Sequence, residues 1–354
     1  MNIICCAVSF GLGPTGKLAS IVSASPEYNW YLCGDKIDEF VFKKNVFKDK
    51  LFTRDKKQIE AFVKRNNIEI AIVILDGLMA TLLKNIGLKV IYVDSLPFMW
   101  QQSDVELGDV PLEVDCYCAQ KNYHKANSNV LSQAYNLVNI DPILPVMNYK
   151  KTSKKYDLVI NLGGLNIDGL VSTSYINCIM PSIIKFIGVN DYKCIITCGK
   201  DALDYIKSKY KDLNNIEVSN LEHEQFINTI YTSDLIVTTS GLTTLLEISQ
   251  FNKKVILLPP NNLSQYYNQE IAKTLLRKYR IINWNNKELL FDKIKENLAL
   301  GEEKTVEMIQ EKIKNMVNKT DIYNELMSDI FIHNNESLKI QNGTIQIKKI
   351  LNNI

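Results

Sequence analysis

Histidine is scarce in this chain of 354 residues, with three in all, and none of its eight cysteines (Cys5, Cys6, Cys33, Cys116, Cys118, Cys178, Cys194 and Cys198) stands in a paired Cys-x-x-Cys spacing. That argues against a zinc site, and the thiols read as reduced, mostly buried side chains of a cytoplasmic protein rather than a disulfide framework. No stretch approaches the roughly 18 consecutive apolar residues that span a bilayer. The opening run Met1-Asn-Ile-Ile-Cys-Cys-Ala-Val-Ser-Phe10 lacks a basic region and soon meets Gly11, so it is expected to be a first β-strand and not a signal peptide. Neither sign of charge is in excess: 41 basic residues against 39 acidic leave a formal charge of +2, too little to favour nucleic acid or stable membrane association. The commoner phosphate loops are missing as well. Gly11-Leu-Gly13-Pro-Thr15-Gly16-Lys17 is neither a Walker A loop nor a clean Gly-x-Gly-x-x-Gly.

What the chain does have is an alternation of short apolar runs with helical patterns, the mark of parallel sheets covered by helices. Strands are expected at residues 2–9, 29–33, 70–75, 89–93 and 114–118, and again at 156–164, 193–197, 216–218, 235–238 and 255–258. Between the two series, Pro142, Pro145 and Lys150-Lys151-Thr-Ser-Lys-Lys155 form a polar linker. The length suits two α/β domains of about 150 residues each. We place them at 1–148 and 149–325, with a tail at 326–354. Two doubly wound halves collect ligands at the carboxyl ends of their strands, in a crevice between the domains.

The most telling segment runs from Ser240 to Asn268. Asp234-Leu-Ile-Val-Thr-Thr239 reads as a buried strand, and Ser240-Gly241-Leu242-Thr243 as a turn opening a helix whose first amides can hold phosphate. Two turns on, Glu247 is placed to accept hydrogen bonds from ribose hydroxyls. Gln265 and Asn268 follow the next strand, within reach of a sugar. Phosphate, ribose and sugar contacts in that order describe a nucleotide-sugar site; an ordinary strand–helix unit with a helix cap is the plainer alternative.

This segment resembles the donor half of GT-B glycosyltransferases, and especially the lipid II-forming N-acetylglucosaminyltransferases, whose pattern has Ser-Gly, a helix with Glu, a strand ending in Pro and then Gln-Tyr-Trp-Asn. Here the last element reads Gln265-Tyr-Tyr-Asn268. The resemblance runs in order over most of residues 1–325. It implies a UDP-sugar donor, no other cofactor and no metal. It also implies that Gly163, Gly164 and Asn166 form the glycine loop opening the donor domain, and that the backbone of Leu221-Glu-His223-Glu-Gln-Phe226 recognises the base. His223 itself reads as an exposed loop residue.

In the first half, Gly13, Thr15 and Gly16 belong to a glycine turn leading into a helix at Leu18–Ala24. The resembled family has Gly-Gly-Thr-Gly-Gly-His there; Lys17 stands in place of the histidine, which puts an inherited acid–base role in question and makes Lys17 itself a candidate. Two apolar strands end in carboxylates, Ile70-Ala-Ile-Val-Ile-Leu-Asp76 and Val90-Ile-Tyr-Val-Asp94. Asp94 or Asp76 is the candidate general base, with Ser95, Phe98 and Trp100 as an acceptor wall; helix capping and core packing are the plainer readings of the same residues. The run Asp94-Ser-Leu-Pro-Phe-Met-Trp100 with Gly13-Pro-Thr-Gly-Lys17 is also similar to cytosylglucuronate synthases, which implies a small planar acceptor such as a nucleobase in antibiotic biosynthesis.

A helix is expected over Glu302–Met327. In the tail, two alternating runs around Asn342-Gly343 signal a β-hairpin, with packing arm and homodimer contact both open as its role. The sequence thus describes a cytoplasmic GT-B enzyme moving a sugar from UDP to a small soluble acceptor. The alternatives are a UDP-N-acetylglucosamine 2-epimerase type of enzyme, and a nucleotide-sugar-binding subunit of a split glycosyltransferase.

Overall fold

The computed structural model describes residues 1–37, 39–97, 110–121, 131–145, 155–167, 170–211, 213, 216–284, 302–319, 322–334 and 340–353. The chain forms two compact units, Met1–Met147 with Lys339–Ile354, and Asn148–Leu338.

The first unit is a parallel sheet of β1 (Asn2–Ala7), β2 (Asn29–Cys33), β3 (Phe47–Leu51), β4 (Ile70–Ile74), β5 (Lys89–Asp94), β6 (Cys116–Gln120) and β7 (Leu137–Ile140), in the order β3-β2-β1-β4-β5-β6-β7. The order reverses between β1 and β4, the point at which such sheets open a crevice. Its central strands are continuously apolar because helices cover both faces. Leu18, Ile21 and Val22 of α1 (Gly13–Ala24) pack on one side with Ile72 and Ile91. Phe62 of α2 (Lys56–Arg65) and Met79 and Leu83 of α3 (Gly77–Asn85) pack on the other with Tyr92 and Tyr117.

The second unit repeats the plan with β8 (Leu158–Gly163), a small antiparallel pair β9 (Asn166–Ile167) and β10 (Leu170–Val171), then β11 (Cys194–Cys198), β12 (Ile216–Ser219), β13 (Leu235–Thr238), β14 (Lys254–Leu257), β15 (Lys278–Ile281) and β16 (Ile332–His333). The main sheet runs β12-β11-β8-β13-β14-β15-β16, parallel except for β16 at its edge. Its helices are α4 (Thr173–Asn190), α5 (Lys200–Lys209), α6 (His223–Thr232), α7 (Leu242–Ile248), α8 (Leu263–Leu275), α9 (Glu302–Lys319) and α10 (Ile322–Met327). The helix expected over Glu302–Met327 is thus two helices. Among the described residues no helix is long and apolar enough to cross a membrane.

Two expectations are corrected. The turn at Gly11–Lys17 is shorter than its glycines suggest: α1 already begins at Gly13, Pro14 sits in its first turn where no amide is needed, and the Gly16 N–H donates to the Leu12 carbonyl at 2.8 Å. The tail is no hairpin but a helix, α11 (Gly343–Asn353), which joins the first unit. Asn342 caps it, its Oδ1 accepting from Thr344 N at 2.9 Å. Gly343 is needed for a close approach, since a Cβ there would lie 1.8 Å from the Asp141 carbonyl oxygen. Thr344, Ile347 and Leu351 recur at helical spacing and are buried, Ile347 and Leu351 in the core that α1 covers.

Candidate functional site

In the second unit the residues expected to bind a donor collect at the carboxyl ends of β8, β13 and β14. β8 ends in Gly163, whose φ of +69° is open to glycine, and Gly164 follows. Gly164 lies so close to the end of β11 that a Cβ on Gly199 would stand 2.7 Å from its carbonyl oxygen. The backbone of Asn166 forms β9.

Asn161 ties these pieces together. Its Oδ1 accepts from Gly163 N and from Thr197 Oγ1, each at 3.2 Å, and its Nδ2 donates to Thr238 Oγ1 at 3.0 Å and Thr244 Oγ1 at 3.3 Å. One amide therefore joins the glycine loop, the ends of β11 and β13 and the first turn of α7. It is hidden in an apolar run; an asparagine inside Leu158-Val-Ile-Asn-Leu162 was the available signal.

Ser240 and Gly241 enter α7 as expected, with Gly241 as the cap, Leu242 buried and Thr243 in the first turn. Ser240 is fully buried and its Oγ has no hydrogen-bond partner. Glu247 is 1% exposed and engaged: its Oε1 lies 2.6 Å from His223 Nε2. His223 is the first residue of α6 rather than an exposed loop side chain, and it holds the carboxylate in place.

After β14, Asn262 caps α8 by accepting from Gln265 N at 3.0 Å, and the Gln265 side chain turns back to accept from Asn261 N at 2.8 Å. Gln265 thus helps to build the loop. Asn268 is 1% exposed and its Oδ1 lacks a partner. Among the described residues, the buried side-chain polar atoms without a partner are Ser25 Oγ, Ser240 Oγ, Asn268 Oδ1 and Arg280 Nε. Two of these four are at positions expected to touch a sugar nucleotide. Such atoms are rare and unfavourable by about 1–3 kcal/mol each, which makes Ser240, just after β13, and Asn268, within α8, candidate ligand contacts.

In the first unit two buried polar pairs involve β5 and β6, Asp94 with Tyr117 on the face covered by α2 and α3, and Lys17 with Gln120 on the face covered by α1. Asp94 is fully buried; its Oδ1 accepts from Leu96 N at 2.9 Å and its Oδ2 from the Tyr117 hydroxyl at 2.7 Å. Ser95 is buried beside it. Lys17, 2% exposed on α1, donates from Nζ to Gln120 Oε1 at 3.1 Å, and the same oxygen accepts from Ile143 N at 3.1 Å. Thr15 is buried and Gly13 and Gly16 lie in the first turn of α1. Tyr117 and Gln120 were not singled out from the sequence. Phe98 and Trp100 lie outside the described residues.

Asp76 has other duties. It caps α3, accepting from Met79 N at 3.0 Å, and pairs with Arg54 at 2.7 Å, while Arg54 also grips Asp35 at 2.6 Å. Asp76 is therefore committed to a helix cap and an ion pair, whereas the hydrogen bonds given for Asp94 come from the Leu96 amide and the Tyr117 hydroxyl. Burial first, then the Asp94 charge, pushes the Tyr117 phenol well above its ordinary value, so its hydroxyl remains a donor.

Residues 171–326 match the Glycosyltransferase family 28 C-terminal domain. No curated protein matches the chain in sequence. Among solved structures, UDP-GlcNAc 2-epimerase from Methanocaldococcus jannaschii in complex with UDP-GlcNAc and UDP is similar at 14% identity over 100% of both chains, with a TM-score of 0.59. The Neisseria meningitidis UDP-GlcNAc 2-epimerase bound to UDP-GlcNAc is similar at 11% identity, again over 100% of both chains, with a TM-score of 0.58. Glycyrrhiza uralensis UGT73P12 complexed with glycyrrhetinic acid 3-O-monoglucuronide is similar at 9% identity over 100% of this chain and 95% of that one, with a TM-score of 0.52. Identities this low speak for the shared fold. The chain thus has the fold of the GT-B proteins, and a segment of its second unit matches the Glycosyltransferase family 28 C-terminal domain.

Proposed function

We propose that the enzyme moves a sugar from a UDP-sugar to a small soluble acceptor in the cytoplasm, with no metal and no further cofactor. The second unit holds the donor: Gly163, Gly164, Ser240, Gly241 and Thr243 around the diphosphate, Glu247 at the ribose, Asn268 and the Gln265 turn at the sugar. The reading rests above all on the buried, partnerless Ser240 Oγ, just after β13, and Asn268 Oδ1, within α8, both inside the region matching the family 28 domain. A bound sugar nucleotide supplies the missing partners.

The first unit holds the acceptor, with Asp94 as the base. Asp94 takes the proton from the acceptor nucleophile as that atom bonds to the anomeric carbon; the bond from that carbon to the diphosphate oxygen breaks, and UDP leaves with the electron pair. Amide and hydroxyl dipoles at the ends of β8 and β13 stabilise the departing charge. Resemblance to cytosylglucuronate synthases favours a planar acceptor such as a nucleobase, and glucuronate as the sugar.

The test is a panel of UDP-sugars, including UDP-glucuronate and UDP-N-acetylglucosamine, read by thermal shift and then by UDP release with and without free cytosine and other nucleobases. Acceptor-dependent UDP release together with a glycosylated product is expected. The epimerases among the structural neighbours carry a second reading, inversion at the sugar C2. In that case a new sugar nucleotide forms without any acceptor.

A further inference from the structure

We propose that Tyr117 is the positioning residue of the candidate base: its hydroxyl keeps the Asp94 carboxylate ionised at the buried end of β5 and fixes its direction. The proposal rests on the reading of Asp94 as the base. A carboxylate with no exposure would ordinarily be driven toward its neutral form, because burial disfavours charge. Here the charged form has a donor on each oxygen, the Leu96 amide at 2.9 Å on Oδ1 and the Tyr117 hydroxyl at 2.7 Å on Oδ2. Hydrogen bonds given to the ionised form favour it, and one on each oxygen also stops the carboxylate from rotating about χ2.

The donor is itself held rigidly. β6 pairs with β5 so that Tyr117 stands beside Tyr92, two residues before Asp94 and on the same face by strand alternation. The two rings pack with centroids 5.2 Å apart, and both are almost completely buried. The Tyr117 amide donates to the Asn136 carbonyl at 2.9 Å, which ties the start of β6 down. Since burial and the Asp94 charge both oppose ionisation of the phenol, Tyr117 stays a donor through neutral pH and does not compete for the proton that Asp94 has to take. A tyrosine with a purely structural task could have left its hydroxyl on a backbone carbonyl; this one ends on the carboxylate that closes the neighbouring strand.

The titration of Asp94 tests this directly and needs no substrate. In the full-length protein labelled with ¹³C at the aspartate side-chain carboxyl carbon, the Asp94 signal is assigned by its disappearance in Asp94→Asn. Tyr117→Phe is expected to raise its midpoint by about one pH unit, the equivalent of one lost charge-assisted hydrogen bond. Site-specific 3-fluorotyrosine at position 117, a stronger donor of nearly the same shape, is expected to lower it and serves equally where Tyr117→Phe does not fold. In hydrolysis of UDP-glucuronate or UDP-N-acetylglucosamine the acid limb of the rate profile is expected to move with the midpoint. A midpoint unmoved by either change, or an Asp94 that never titrates, overturns the proposal. If instead Asp94→Asn turns over normally while the midpoint shifts as expected, it is the assignment of Asp94 as base that fails.

Discussion

Removing the Ser240 hydroxyl is expected to have opposite effects on the free and the ligand-bound protein. The Oγ is completely buried at the end of β13 and lacks a partner, so it weakens the free protein by part of the roughly 1–3 kcal/mol that an unsatisfied buried polar group carries. Ser240→Ala deletes that oxygen and little else, and a gain of about 1 kcal/mol follows in the absence of ligand. For a folding unit of this size such a gain raises Tm by about 2–4 °C. If the diphosphate of a sugar nucleotide supplies the missing partner, the variant loses a hydrogen bond to a charged group, and Kd for UDP rises about tenfold to a hundredfold. At a fixed excess of UDP, ligand stabilisation then shrinks by the same free energy. Differential scanning calorimetry with and without UDP, paired with isothermal titration, reads both halves. A variant that melts lower without ligand and binds UDP as before would show that the hydroxyl is already satisfied in the free protein, and the donor site would have to lie elsewhere.

Glu247→Gln, which keeps the shape of the buried pair with His223, is expected to weaken UDP binding by about 1–3 kcal/mol while leaving Tm almost unchanged; unaltered UDP affinity would remove the ribose role. Glu247→Ala is less clean, because breaking a buried pair can itself destabilise by about 3–5 kcal/mol. Asp94→Asn should reduce transfer by about 100-fold to 10,000-fold with UDP affinity retained, and near-normal turnover with a working acceptor would disqualify it as the base. The hydrogen bond from Arg54 holds the Asp35 carboxyl below its ordinary value. Its contribution to stability is therefore complete above the unfolded carboxyl pKa of about 4 and is lost as pH falls through the lower folded value. Chemical denaturation as pH is lowered from about 5 should show this loss reduced in Arg54→Met; identical profiles would refute it.

Strand ends were legible because parallel sheets place function there and because their central strands are unbroken apolar runs. Ile70–Ile74 and Leu235–Thr238 are examples, both close to where the sequence puts them. The two edge strands of the first sheet were not legible for the same reason, although β12 at the edge of the second was expected at 216–218. β3 reads Phe-Lys-Asp-Lys-Leu and β7 is exposed over three of its four residues, so neither carries the apolar signal of a covered strand. The tail misled through the strongest short-range cue it has. Asn342-Gly343 is a hairpin signal only when nothing else wants those residues, and here Asn342 caps a helix while Gly343 admits the Asp141 carbonyl.

The same topology explains which parts of the site stayed hidden. A parallel neighbour is reached only through a crossover, so side chains that meet at one sheet edge come from distant segments. Tyr117 meets Asp94 across 23 residues, His223 meets Glu247 across 24, Asn161 meets Thr238 across 77 and Lys17 meets Gln120 across 103. In three of these pairs one member had a local signature, the strand-terminal carboxylate of Asp94, Glu247 two turns into a helix, or Lys17 in a glycine turn. Its partner had none, because a tyrosine, histidine or glutamine in an apolar or loop context is compatible with ordinary packing. Local sequence therefore singles out candidate ligand-facing groups better than the groups that hold them. The holders set protonation and direction, so they are where an enzyme of this fold can change its chemistry without altering the motif by which it is read.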